Sequence, residues 1–141
     1  AAQAGDPVAF DLPRAWLRSD EGEGNYDFSF SGLKTAVLRT LQALDPDYKV
    51  DAPIAPGLPV ANLAASFQAA VVDVLVGKTV RAAHELGARE IFIAGGVSAN
   101  SALRAEMIAC AAAQPVHRQC CDDRGGGILS LYGRPARRAG L

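Results

Sequence analysis

The residues with the richest chemical possibilities lie in the stretch Ile91-Phe92-Ile93-Ala94-Gly95-Gly96-Val97-Ser98-Ala99-Asn100. Its first four apolar residues, three of them β-branched or aromatic, read as a short buried strand. Gly95 and Gly96 stop that strand and leave room for a ligand against bare backbone. Ser98 and Asn100 are candidate N-caps for the apolar-periodic run that follows, Ala102, Leu103, Ala105, Met107 and Ile108. A strand, a glycine turn and a helix start in series aim amide hydrogens and the positive end of a helix dipole at one spot. Such a spot suits an anion or a polar ligand. The same residues also make a plain strand-to-helix connection with nothing bound, and the turn alone does not choose between the two.

Other groups offer chemistry of a different kind. Asp122 and Asp123 follow a candidate strand, and carboxylates at a strand end are hard oxygen ligands for a metal ion. Adjacent aspartates before a glycine run also form a simple turn. Ser29, Ser31 and Lys34 fall where a strand meets a helix. Lys34 beside a phosphate is one reading of that junction, and an exposed lysine is the commoner one. His84 and His117 are expected at the surface. The chain contains no H-E-x-x-H, no G-x-x-x-x-G-K-S/T and no G-x-S-x-G, which excludes a zinc-protease helix, a P-loop and a nucleophile elbow.

These groups need elements to hold them. Residues 1–25 form an irregular lead-in, broken by Pro7 and Pro13 and ending in an acidic, glycine-rich loop. Aromatic and polar residues alternate over 26–31, which predicts a strand with one buried face. Apolar positions 33, 37, 38, 41 and 44 predict a helix over 33–44, stopped by Asp45-Pro46-Asp47. The strongest helical pattern covers 62–86 with Gly87 as its left-handed stop. Its Phe67/Val71/Val74 stripe is expected against the sheet. A strand at 90–94 and a helix at 100–113 follow, with a brief strand near Val116 and a poor helix start at 128–132. The whole reads as α/β, a mixed sheet packed by helices.

A chain of 141 residues can bury one core or form one lobe of something larger. Half of its residues are hydrophobic and 21% charged, a globular composition. The net charge of −1 leaves a nucleic-acid partner to a local patch rather than to an overall basic surface. No uninterrupted apolar run approaches the roughly 18 residues of a membrane span, so no membrane partner is expected. Cys110, Cys120 and Cys121 make neither a disulfide framework nor a C-x-x-C site, and a reduced, cytoplasmic setting is expected. The chain opens on Ala1 rather than on methionine, and a piece of a longer protein is the expectation.

Three segments together resemble the TsaD family of tRNA N6-adenosine threonylcarbamoyltransferases, formerly described as O-sialoglycoprotein endopeptidases. They are Phe28-Ser29-Phe30-Ser31-Gly32-Leu33-Lys34-Thr35-Ala36, then Ala65-Ser66-Phe67-Gln68 with Val71-Val72-Asp73-Val74-Leu75-Val76, and Ala94-Gly95-Gly96-Val97-Ser98-Ala99-Asn100 with Leu103-Arg104. The match runs in order over nearly the whole chain, best over 26–113, with 114–141 as a divergent tail. It covers only the C-terminal portion of the family. The resemblance implies the actin- and hexokinase-like (ASKHA) ATPase fold, two α/β lobes closing on a nucleotide cleft, here incomplete. The reaction it implies moves a threonylcarbamoyl group from threonylcarbamoyl-adenylate to N6 of the adenosine 3′ of the tRNA anticodon.

The resemblance also implies roles for particular residues. Asn100 stands at the family's substrate-binding asparagine, and Gly95 and Gly96 let the backbone reach threonylcarbamoyl-adenylate or ATP. The family binds one divalent metal ion, iron, through two histidines of an earlier helix and the aspartate of a Cys-Thr-Asp-Asn segment. Cys121-Asp122-Asp123-Arg124 takes that place and puts Asp123 on the ligand position, with Asp122 for threonine and Arg124 for asparagine. A gapless alignment from the C-terminal end puts Arg124 there instead, and a cation would repel a metal ion. Implied partners are tRNA, the missing N-terminal lobe and TsaB- and TsaE-like proteins. Without that lobe the chain is expected to be inactive alone. Competing expectations are a non-catalytic ASKHA-fold module that binds a partner, and a carbamoyltransferase acting on a small molecule.

Overall fold

A computed structural model describes residues 1–15, 26–50, 53–113, 116–119 and 129–133. Among these residues the helices and strands follow in the order α1 (Ser31–Leu44), α2 (Val60–Glu85), β1 (Glu90–Ile93), α3 (Ser101–Ala113), β2 (Val116–Gln119) and β3 (Leu129–Gly133). Short 3-10 turns occupy Ala2–Ala4 and Gly96–Ala99. The chain divides into two compact units, Ala1–Val74 and Leu75–Leu141, with the boundary inside α2.

In the first unit the lead-in is irregular but tightly tied to α2. Ser66, buried on α2, accepts a hydrogen bond from the Phe10 amide at 3.1 Å and donates to the Asp6 carbonyl at 3.3 Å. The Asp6 amide donates to Asn62 Oδ1 at 3.1 Å. Arg14 Nε meets Asp73 Oδ2 at 2.6 Å. These bonds satisfy polar groups that the core would otherwise strand. Under them Leu12, Leu33, Leu41, Leu63 and Ala70 form one cluster, with Phe10, Phe30, Val37 and Val71 packed against it. Leu33 and Leu41 come from the expected face of α1. That helix ends as the Asp45 amide donates to the Leu41 carbonyl at 2.8 Å.

The strand expected at 26–31 does not form. Residues 26–30 are irregular and α1 begins at Ser31. A strand needs a neighbour to take its ladder bonds, and the described sheet contains only β1, β3 and β2. Of the alternating aromatics, Phe30 packs on the core while Phe28 is exposed.

On helix α2 the predicted stripe divides: Phe67 is 40% exposed, whereas Val71 packs on the Leu12 cluster and Val74 is buried. Leu63, Ala65, Ala70, Val72, Val74 and Val76 are all buried. A helix apolar on so many sides gives periodicity little to choose between. By length and composition α2 could cross a membrane, with a mean hydropathy of 1.6 in its most apolar window. Only 39% of that window is buried, Val60 and Phe67 of the helix are exposed, and Ser66 and Lys78 lie among its buried residues.

In the second unit α2 closes with the expected glycine. Gly87 has φ 62°, its amide donates to the His84 carbonyl at 3.2 Å, and the Ala88 amide reaches back to Ala83 at 2.8 Å. This pair of bonds is a Schellman motif. The sheet order is β1-β3-β2. It is antiparallel throughout its described strands, not mixed, with Ile91 opposite Leu131 and His117 opposite Tyr132. Residues 129–133 form a strand where the sequence suggests a poor helix start at 128–132. Gly133 and Pro135 prevent a helix from extending, whereas β1 and β2 offer ladders on both sides. β1 itself is only half-buried, with Phe92 exposed. α3 packs on β2, on β3 and on the 3-10 turn, burying Leu103, Met107 and Ala111 as one stripe.

Two stability outcomes follow from this packing. Leu63→Ala removes a buried side chain from the cluster and is expected to cost about 2–5 kcal/mol in urea unfolding. Phe67→Ala, at a part-exposed site, should cost less, about 1–2 kcal/mol. A Cβ at Gly5 would run into the Ala61 carbonyl of α2. Gly5→Ala should therefore loosen the lead-in, read as faster amide exchange over residues 6–10.

Candidate ligand-binding turn

The turn between β1 and α3 brings together Gly95, Gly96 and Asn100. Gly95 has φ 86° and ψ −179°, a region that only glycine enters without strain. That conformation reverses the chain into the 3-10 turn. The Ser98 amide then donates to the Gly95 carbonyl at 3.1 Å, and the Ser98 hydroxyl donates to the same oxygen at 2.6 Å. Ser98 is therefore the lock of the turn and not a helix cap. Its two bonds to one carbonyl hold the glycine segment in a single shape.

Asn100 is the cap. Its backbone sits at φ −69° and ψ 115°, the extended geometry of an N-cap. Its side-chain Oδ1 accepts from the Ala102 amide at 2.9 Å and from the Leu103 amide at 3.1 Å. Its carbonyl accepts the Arg104 amide at 3.1 Å, the first bond of α3. The expected cluster of open amides at the start of α3 is thus taken up in part by the protein's own asparagine. Oδ1 is committed twice within the chain.

The glycines differ in what they need. Gly95 needs its missing Cβ for conformation. Gly96 does not have a positive φ, and a Cβ built on it would meet nothing within 4 Å. Both are exposed, while Ser98 and Asn100 are half-buried. Among the described residues nothing in conformation or packing at Gly96 calls for a glycine.

Asp122, Asp123 and Cys121 lie outside the described residues. Among the described residues no group of three or more His, Cys, Asp or Glu could hold a metal ion. His84 is exposed at the end of α2, as expected, and His117 lies on β2. At the start of α1 the hydroxyls of Ser29 and Ser31 share a hydrogen bond of 3.2 Å, and Lys34 is exposed. Cys110 on α3 donates from Sγ to Glu106 Oε1 at 3.5 Å. Burial, and then the Glu106 carboxylate, push its thiol up. It stays protonated near neutral pH and is a poor nucleophile there. The pattern of Ser98 two residues ahead of Asn100 did mark both as capping types. One cap position exists, and only the geometry assigns it.

Comparison with known proteins agrees over most of the chain. The family model for TsaD, tRNA N6-adenosine threonylcarbamoyltransferase, matches residues 1–125. A curated relative of that name from Thermomicrobium roseum is 51% identical over 120 residues, covering 76% of this chain and 31% of the relative. One from Geobacillus kaustophilus is 52% identical over 107 residues, covering 75% and 28%. One from Paracidovorax citrulli is 45% identical over 132 residues, covering 90% and 34%. The chain spans about a third of the length of these curated relatives.

Stability measurements separate the roles within the turn. Asn100→Ala removes the cap and should cost about 1 kcal/mol in thermal or urea unfolding, whereas Asn100→Asp keeps an acceptor and should cost little. Gly95→Ala should cost about 1–3 kcal/mol through backbone strain. Gly96→Ala, with open space around it, should leave stability within about 0.5 kcal/mol of the parent.

Proposed function

Because the chain belongs to the TsaD family, we propose that it is the C-terminal portion of a tRNA-modifying acyltransferase whose β1–α3 turn holds the adenylate. The reaction moves threonylcarbamoyl from threonylcarbamoyl-adenylate to N6 of the adenosine 3′ of the anticodon. The amine attacks the carbamoyl carbon, a C–N bond forms, the C–O bond to the adenylate phosphate breaks, and the amine's proton passes to a base. The observation that supports this role for the turn is Gly96, exposed four residues before Asn100 and, among the described residues, needed as glycine by neither φ nor packing.

In this reading Gly95 and Gly96 bring backbone against the nucleotide, adenylate or ATP, and Asn100 contributes its carboxamide to the nucleoside or ribose edge. Ser98 and the cap keep that edge still, so the leaving nucleotide is held in one orientation while the acceptor approaches. The other wall of the cleft comes from the N-terminal lobe, as in a two-lobed ASKHA fold. The chain alone is inactive, because donor and acceptor must be positioned by both walls. tRNA, TsaB- and TsaE-like proteins are the partners and the cytoplasm the setting.

The divalent metal of the family, iron, is a separate matter. The described residues do not make a metal site of their own. Asp123 would bring one carboxylate to a site whose other ligands come from the N-terminal lobe, and no step is derived through the ion.

The test supplies the N-terminal lobe, fused or in trans, and measures adenylate affinity by calorimetry. Gly96→Ala should weaken binding about tenfold or more with no loss of folding stability. Asn100→Asp, which keeps the cap but loses the Nδ2 donor, should do the same. Affinities equal to the parent in both variants would make the turn a mere connection. Threonylcarbamoyl transfer to tRNA should be absent with the chain alone and appear when the lobe is added.

A further inference from the structure

We draw no further inference here: the strongest candidate, the start of α1 where the Ser29 and Ser31 hydroxyls share a hydrogen bond and no side chain caps the helix, is a helix N-terminus with no second observation that points to a ligand.

Discussion

Two amides at the start of α3 must be satisfied, and one oxygen satisfies both. Asn100 Oδ1 takes the Ala102 and Leu103 donors together, which fixes where the helix begins and therefore where the turn after β1 ends. Upstream, the Ser98 hydroxyl and amide both close on the Gly95 carbonyl. Between these two anchors the backbone from Gly95 to Asn100 has little freedom left. The Gly95–Gly96 backbone is exposed between them. A rigid turn with an uncovered backbone is preorganised, so little ordering is left for a ligand to bring about.

The same economy appears at α2, where buried polar side chains are used as fasteners. Ser66 works in both directions, donating to one segment carbonyl and accepting from another amide. A hydroxyl has a donor and acceptor lone pairs, so one buried serine can tie two points of an irregular strand-like segment without an orphan. The Arg14–Asp73 pair is only partly buried, so its value lies in register more than in energy. It fixes how far along α2 the lead-in runs.

Much of this was legible from residue order, for reasons that are local. The helices have clear local boundaries: Asp45-Pro46 after α1, Gly87 after α2 and the Asn100 cap before α3 all acted where their chemistry requires. The misreadings have a common cause. Alternation over residues 26–31 promises a strand only if another strand lies beside it. The stripe containing Phe67 promises burial only if one face of α2 is special, and nearly every face is apolar. For 129–133 the partners decided, since β1 and β3 are far apart in sequence. At the turn, the glycines and Asn100 could be picked out, but not that the asparagine's oxygen is already occupied. The bond between Arg14 and Asp73, 59 positions apart, leaves no local signature at all.

The lead-in also sets a boundary for anyone trimming the chain for expression. Its first fifteen residues look dispensable on paper, being irregular and proline-broken. Yet they carry Leu12 into the main cluster and cover the hydroxyl of Ser66. A shortened version starting at α1 would expose the Leu63 and Ala70 side of a 26-residue apolar helix to water. Such a surface is a hazard for aggregation.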